Sequence, residues 1–317
     1  MPFARMLAVG VLALLSIGGT CPAGAPVERP FDAARAFRDL VRQCDFGPRV
    51  PGSQGHKDCA AWLVGELGRN ADSVRQDRFS VAVKGRKLEL VNIEATFNPE
   101  GRGHVLLCAH WDTRPVADRD PDPGNRDKPI PGANDGASGV AVLLEIGRAL
   151  KAHPPRQRVT IVLFDGEDYG SSPAEMFFGS RHYASCYTGP VPDWAALLDM
   201  VGDRDLRLPP ERFSQQKAPQ IVDRIWGAAE RAGCPAFVRE PGPAVLDDHV
   251  PLLVRGIPCV DVIDFDYPYW HTLADTPDKC APESLAQVGR AVLRALAEDE
   301  RAEPDPRPVS ADLQNGQ

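Results

Sequence analysis

The first third of the chain changes from helix-like to strand-like patterns of apolar residues. Apolar side chains recur with helical spacing over 31–41 and again over 60–67, so both segments are predicted helices. Two extended segments follow, at about 77–83 and 88–97, on either side of Lys84-Gly85-Arg86. Because glycine tolerates the backbone conformation of a tight turn, this pattern predicts a β-hairpin.

From residue 105 onward, short apolar runs alternate with longer segments of helical spacing. The predicted strands lie at 105–109, 159–164, 195–199 and 257–263, the last starting to pair late because of Pro258. The predicted helices lie at 140–150, 221–232 and 283–297. This alternation favours parallel strands covered by helices on both faces. We therefore predict the α/β class: a single-domain, three-layer α/β/α sandwich with a mixed, mostly parallel central sheet.

The two ends of the chain depart from this pattern. Leu7 to Ile17 is almost entirely apolar, follows a positive residue and precedes several small ones, which is typical of an export signal. We predict a signal peptide over residues 1–25, one folded domain over 28–300 and a disordered tail over 301–317. An uncleaved membrane anchor and a lipoprotein site at Cys21 are the alternatives. The expected location is periplasmic or secreted, with no stable membrane contact after signal removal.

Composition limits the possible partners and covalent links. A net charge of −8 argues against nucleic acid as a partner, because phosphate binding needs a basic surface. Eight cysteines are present, and no CxxC pair points to a thiolate zinc site. Cys108 and Cys259 lie in apolar runs and are predicted to be packing residues. Disulfide pairing among the cysteines stays open.

Acidic and imidazole side chains stand at the ends of the predicted strands or in the connections that follow them. His110, Glu167, Asp168 and Asp199 come at strand ends, Asp135 opens the helix after the 114–131 loop, and His271 follows the loop after the last strand. Because the carboxyl ends of parallel strands open at one edge of a sheet, we expect these side chains to lie together. Carboxylates and imidazoles suit zinc, so the pattern predicts a zinc site rather than a scatter of solvated acids.

The adjacent pair Glu167-Asp168 indicates two different roles. Neighbouring side chains at the end of a strand can face different ways, so one can bind metal while the other carries a proton. The simpler interpretation is a helix N-terminus with acids in its first turn.

We also make predictions for one loop and two side chains near these residues. The segment from Arg114 to Pro131 is rich in Asp, Pro and Asn, and a loop of this length in a compact domain is usually functional or disordered. Asp112 is predicted to orient the His110 ring. His104 flanks its strand and is predicted to be a surface residue.

Several motifs occur together and in order between about residues 40 and 295. They are His110-Trp111-Asp112, GANDGASG from Gly132, FDGED from Phe164, Leu197 to Gly202, DDHVPL from Asp247 and Trp270-His271-Thr272. In this combination the sequence resembles the zinc-dependent exopeptidase superfamily, which contains two-zinc aminopeptidases and the animal-type glutaminyl cyclases. Asp247-Asp248-His249 and Trp270-His271 resemble the cyclases more closely.

The resemblance implies a metal group and a proton carrier. Asp135, Asp168 and His271 match the ligands of one zinc ion, and Glu167 matches the general acid–base of the cyclases. The implied reaction converts the N-terminal glutamine of a peptide or protein to pyroglutamate and releases ammonia. The animal cyclases have Glu where Asp168 stands, so the shorter carboxylate must approach the metal differently.

The resemblance also implies the surroundings of the reacting groups. Asp199 and Asp247 match acids that hydrogen-bond around the active site, and Trp270 matches an aromatic wall of the substrate pocket. A second pocket tryptophan expected at 169–178 is absent, so Phe177 or Phe178 is expected to replace it.

Two other functions stay open. One is an aminopeptidase with two zinc ions, in which His110 and Asp199 would serve the second metal and Glu167 would activate a water molecule. The other is an inactive binding protein on the same fold, which the complete set of ligands argues against.

Overall fold

A computed structural model describes residues 29–300. The predicted signal peptide and the predicted tail lie outside the described residues. Within them a six-stranded sheet has the order β1-β2-β4-β3-β5-β6. The strands are β1 (Ser73–Val83), β2 (Arg86–Phe97), β3 (His104–His110), β4 (Arg158–Phe164), β5 (Trp194–Asp199) and β6 (Cys259–Ile263).

Helices cover both faces of this sheet. They are α1 (Ala33–Asp45), α2 (Gln54–Gly68), α3 (Ser138–Ala152), α4 (Phe178–Cys186), α5 (Arg212–Lys217), α6 (Pro219–Arg231), α7 (His249–Val254) and α8 (Pro282–Asp299). The larger apolar cluster joins one face of the sheet to α1, α2, α3, α6 and α8. A smaller cluster joins the other face to α4 and α7. The predicted three-layer sandwich is therefore confirmed.

The sheet is mixed, as predicted. β4, β3, β5 and β6 run parallel to one another, while β2 pairs antiparallel with β4 and β1 pairs antiparallel with β2. The predicted hairpin turns through Lys84 and Gly85, whose φ angles are 48° and 75°. Two positive φ values in succession suit a two-residue turn between twisted strands, and glycine adopts such a value without strain.

The predicted elements occur with bounds that shift by a few residues. β6 begins at Cys259, directly after Pro258, in agreement with the expected late start of pairing. Helices α4, α5 and α7 do not coincide with any segment predicted from helical spacing, because their nine, six and six residues contain too few turns to show a helical period. No helix within residues 29–300 combines the length and apolar character needed to cross a bilayer.

The seven cysteines among the described residues all carry free thiols. Cys108 and Cys259 are buried together in the smaller apolar cluster, which confirms their predicted packing role. Burial raises the pKa of both thiols well above the usual value, so neither is a reactive thiolate.

Candidate active site

Several predicted site residues meet at one edge of the sheet. His110 is the last residue of β3 and Asp199 the last of β5, while Glu167 and Asp168 follow the end of β4. These three strands are parallel neighbours, with β3 between the other two. Their carboxyl ends therefore open into the same space, where ligands bind in sheets of this class.

Asp135, Asp168 and His271 form a compact group of potential metal ligands. One donor atom of each lies within 4.8 Å of the others, and His271 Nε2 is 3.1 Å from Asp168 Oδ2 and 3.7 Å from Asp135 Oδ2. Both oxygens are buried, and neither accepts a well-formed hydrogen bond from the described residues. Because buried acceptors without donors are costly, the group fits a cation. Two carboxylates and one imidazole form a donor set that suits zinc.

The 114–131 loop and the local backbone orient the His271 ring. His271 has a φ of 57°, and its carbonyl oxygen accepts a hydrogen bond from the amide of Arg119 (3.2 Å). Its Nδ1 lies 3.2 Å from Asp118 Oδ1, which leaves Nε2 to face the two carboxylates. Carboxylates orient metal-binding imidazoles in this way. Sequence reasoning missed Asp118, although the length of its loop indicated a functional segment.

Arg114, in the same loop, links the metal group to its support. Its Nη1 donates to Asp168 Oδ1 (2.5 Å), while Nε and Nη2 donate to the carboxylate of Asp118 (3.0 and 2.8 Å). Although burial opposes the change, Arg114 lowers the pKa of Asp118. The guanidinium thus engages one oxygen of Asp168 and leaves the other facing His271.

The turn that opens α3 holds Asp135 in place. The Asp275 carboxylate accepts hydrogen bonds from the amides of Asn134 (2.8 Å) and Asp135 (3.2 Å). Gly136 has a φ of 102°, and a Cβ there would lie 2.4 Å from the carbonyl oxygen of Asp112. Only glycine meets both conditions, so this residue of the GANDGASG motif positions the carboxylate before it.

Glu167 is buried beside the metal group. Its amide donates to Asp112 Oδ1 (3.0 Å), and the φ of 73° at Gly166 allows the chain to turn sharply after β4. Burial, and then the charge of Asp168, raise the pKa of Glu167 well above its usual value. A carboxyl group with a raised pKa is suited to accepting and returning a proton. Asp112 Oδ1 lies 3.7 Å from His110 Nδ1, which is ion-pair distance from the ring that it is predicted to orient.

The two second-metal candidates also lie together. His110 Nε2 is 3.1 Å from Asp199 Oδ1 and 3.3 Å from Asp135 Oδ1. Donor atoms of His110, Asp135 and Glu167 form another group within 4.8 Å, so Asp135 belongs to both groups. Although burial opposes it, the charge of Asp199 raises the pKa of His110 well above its usual value. The arrangement therefore fits either an ion pair with Asp199 or a second cation.

Further buried acids lie next to Asp199. Asp247 precedes α7, and burial followed by the charge of Asp199 raises its pKa well above the usual value. Donor atoms of Asp247, His249 and Asp261 form a third group within 4.8 Å. His249 Nε2 lies 3.2 Å from Glu211 Oε2. Sequence reasoning missed Glu211 and Asp261, although an acid in the middle of the apolar β6 segment was a signal for the second.

A pocket of about 330 Å³ opens over these groups. Trp270 and Phe177 line it, together with Phe265. Phe178 is not among the lining residues and packs instead with Leu90 under the hairpin, which corrects the expectation that placed it at the pocket. Phe177 has a φ of 60° and immediately precedes α4, so these two successive side chains diverge. No sequence pattern distinguishes one from the other.

The sequence model of peptidase family M28 matches residues 92–296, a range that contains every predicted site residue. A mouse protein named glutaminyl-peptide cyclotransferase-like protein is 29% identical over 286 residues. That alignment covers 79% of this chain and 72% of the mouse protein.

Two solved structures are similar over nearly their whole length. Tannerella forsythia glutaminyl cyclase superposes with a TM-score of 0.80 at 40% identity, covering 84% of this chain and 98% of that one. A leucine aminopeptidase precursor from Bacteroides thetaiotaomicron superposes with a TM-score of 0.83 at 36% identity, covering 86% and 99%. The similar structures therefore include proteins described by each of the two activities.

Proposed function

Because this chain belongs to peptidase family M28, we propose that it is a zinc-dependent glutaminyl-peptide cyclotransferase. Its substrates are peptides or proteins with an N-terminal glutamine, which is converted to pyroglutamate with release of ammonia. The mouse relative and the T. forsythia structure support this activity. The apolar segment Leu7 to Ile17 supports a periplasmic or secreted enzyme.

One observation carries the proposal: a buried carboxyl group stands beside a separate three-residue metal group. Glu167 makes no ion pair with Arg114, which engages Asp168 instead. One side chain of the adjacent pair is therefore held toward the metal group, and the other remains available to move a proton. The pocket over them is walled by Trp270 and Phe177 and is small enough to enclose one side chain.

The chemistry follows from these positions. Asp135, Asp168 and His271 would hold one zinc ion, which supplies Lewis-acid polarisation of the substrate γ-carbonyl when bound. Glu167 takes a proton from the α-amine, whose nitrogen forms a bond to the γ-carbon. The bond from that carbon to the amide nitrogen breaks, and Glu167 returns the proton to the departing ammonia. Both reacting groups belong to one residue, so the substrate itself supplies proximity, and no water is consumed.

Asp199 and Asp247 are proposed to hydrogen-bond around the reacting groups. Both line the pocket together with Glu167. The raised pKa of Asp247 means that its carboxyl group can carry a proton and donate a hydrogen bond at a pH where an ordinary Asp cannot. Asp199 Oδ1 lies 3.1 Å from His110 Nε2 and is proposed to restrict rotation of the imidazole ring.

A two-zinc aminopeptidase is the second candidate. His110 lies within 3.1 Å of Asp199 and shares a second group of potential donors with Asp135 and Glu167. His110 and Asp199 would hold a second zinc ion, and Glu167 would activate a water molecule. The similarity to the leucine aminopeptidase precursor supports the same possibility. An inactive binding protein is the third, and it predicts a site that binds glutaminyl peptides without turnover.

The decisive experiment measures ammonia release from a glutaminyl dipeptide, with and without a chelator, together with the zinc content per chain. We expect release that the chelator abolishes and one zinc per chain. Glu167→Gln should lower kcat by at least about 100-fold, because the proton carrier is lost while the metal group is intact. Zinc content and Tm should be unchanged.

Glu89→Gln is the matched control, since Glu89 is an exposed residue of β2 that does not line the pocket. Its kcat should equal that of the wild type. Two tightly bound zinc ions with amino-acid release from peptide anilides, and no ammonia, would establish the aminopeptidase instead. Full turnover by Glu167→Gln would exclude the role given to this residue in both enzymes.

A further inference from the structure

A second, apolar groove lies between α4 and α7, with a volume of about 480 Å³. Ala184 contributes from α4 and Val250, Pro251 and Val254 from α7. Most of the side chains that line it are apolar, so it suits a hydrocarbon side chain rather than an ion or a sugar.

The groove concentrates the exposed apolar surface of the described residues. Only four large apolar side chains are exposed within residues 29–300. Two of them, Leu246 (53% exposed) and Val254 (84% exposed), line the groove. A third, Phe265, lines the catalytic pocket. Neighbouring exposed apolar side chains of this kind mark a binding surface, because apolar side chains that are exposed singly are scattered over the molecule.

The groove adjoins the catalytic pocket. Pro173, Phe177, Leu246 and Asp247 line both of them. A peptide that places its first residue in the pocket therefore needs to pass only these shared residues, Leu246 among them, to reach the groove.

Two guanidinium groups stand at the groove without acidic partners. Arg181 donates through Nη2 to the carbonyl oxygen of Pro173 (2.6 Å), and Arg255 donates through Nη2 to that of Tyr187 (2.9 Å). No ion pair joins either arginine to a carboxylate among the described residues, although the chain carries a net charge of −8. Unneutralised positive charge beside an apolar groove favours an occupant that carries a carboxylate.

We propose that this groove binds the substrate residues that follow the N-terminal glutamine. It takes an apolar side chain against Leu246 and Val254, followed by an acidic residue near Arg181 and Arg255. This assignment rests on the proposed cyclotransferase activity and adds a preference within it, for peptides that begin with glutamine, an apolar residue and an acid.

The test compares kcat/KM for four peptide amides: Gln-Gly-Ser, Gln-Leu-Ser, Gln-Leu-Glu and Gln-Leu-Lys. We expect Gln-Leu-Ser to exceed Gln-Gly-Ser roughly tenfold, from burial of the leucine side chain. Gln-Leu-Glu should exceed Gln-Leu-Lys about threefold or more, and this second ratio should shrink with added salt. Val254→Ser should reduce the leucine-to-glycine ratio, and Arg255→Glu should reverse the Glu-to-Lys preference.

Val191→Ser and Arg38→Glu are the matched controls. Val191 is also exposed but is absent from the groove lining, and Arg38 is exposed on α1 across the sheet. Both variants should keep the wild-type ratios of kcat/KM.

Ammonia release at equal kcat/KM from all four peptides would overturn the groove assignment alone, whereas no release from any of them would overturn the proposed function and the groove with it. If Val254→Ser changed the oligomer mass and left the peptide ratios unchanged, the occupant would be a second copy of the chain, and the assignment would be wrong.

Discussion

At the residue scale, the pocket is built from backbone conformations that residues with a Cβ rarely adopt. Five non-glycine residues of the described chain have positive φ, and Phe177, Met200 and His271 among them line the pocket. Each such conformation costs on the order of 1 kcal/mol or more. Surrounding contacts stabilise it, as when the amide of Phe177 donates to the carbonyl oxygen of Glu167 (2.8 Å). The strained backbone conformations occur at positions where successive side chains must point in different directions.

His104 shows how far a residue's surroundings can depart from its position in the sequence. It was predicted to be a surface residue, and this is wrong: the side chain is buried at the start of β3. Its Nε2 lies 2.9 Å from Thr160 Oγ1, and the hydroxyl of Tyr187 covers its Nδ1 at 3.4 Å. Burial, and then the charge of Arg158, lower its pKa to about 4.

This depressed pKa predicts a loss of stability in mild acid. Between pH 6.5, the ordinary pKa of histidine, and about pH 4, the unfolded chain binds a proton at His104 that the folded chain does not. The free energy of unfolding keeps its full value above this pH window. It decreases as the pH falls through the window, by on the order of 2 kcal/mol after allowance for solvent screening. His104→Gln should flatten the dependence of the free energy of unfolding on pH, measured by urea denaturation.

His153→Gln is the control, because His153 is exposed at the end of α3. The free energy of unfolding of the His153→Gln protein should depend on pH as it does in the wild type. An unchanged slope in the His104→Gln protein would show that His104 is protonated equally in the folded and unfolded states.

At the element scale, the close approach of α3 to β5 sets the width of the site. Asp135 stands just before α3 and Asp199 ends β5, so the distance between these elements sets the separation of the two carboxylates. A Cβ at Gly139 in α3 would lie 2.0 Å from the carbonyl oxygen of Leu198 in β5. Glycine at this position lets the helix reach the sheet backbone.

Gly139→Ala should therefore destabilise the protein by about 3 kcal/mol or more, because a backbone atom blocks the added methyl and no rotamer can relieve the overlap. Gly65→Ala, in the exposed part of α2 with open space around it, should instead stabilise by about 0.5–1 kcal/mol through helix propensity. Thermal unfolding of both variants checks the pair. Equal Tm values would mean that the α3–β5 contact can open without cost.

At the scale of the whole molecule, acidic groups are gathered at one edge of the sheet beyond what the imidazoles there can neutralise. Burial followed by neighbouring negative charge raises the pKa of Glu167 and of Asp247. Burial also raises the pKa of Asp168 against the opposing effect of His271. A bound cation offsets this repulsion, so metal binding and folding are thermodynamically linked.

Removal of zinc should accordingly lower the Tm. A free zinc concentration 100 times the Kd stabilises a protein that binds only when folded by about 2.7 kcal/mol. The Tm should rise with added zinc and fall with a chelator, and Asp135→Asn should lose most of this response. Asp127→Asn, in the exposed part of the 114–131 loop, should retain it. A Tm that does not change with added zinc or with a chelator would contradict a metal site at this edge.

Much of this architecture could be predicted because it depends on local patterns. Apolar runs of strand length and helical spacing predicted the sheet and its layers, since a buried strand needs apolar residues on both faces. The position of His110, Glu167, Asp168 and Asp199 at or just after the ends of strands predicted that they would converge. The short helix α5 escaped prediction because six residues are too few to show a period.

The sequence by itself thus determined the fold class, the edge of the sheet where chemistry-bearing residues gather, and the residue types available there. Only the tertiary structure decided that Phe177 and not Phe178 faces the pocket, that Asp118 and Arg114 support the metal group, and that an apolar groove adjoins the pocket. The physical reason is the range of the interactions. Strand and helix patterns repeat over a few residues, whereas side-chain direction and ion pairing depend on backbone conformation and on residues far apart in the chain.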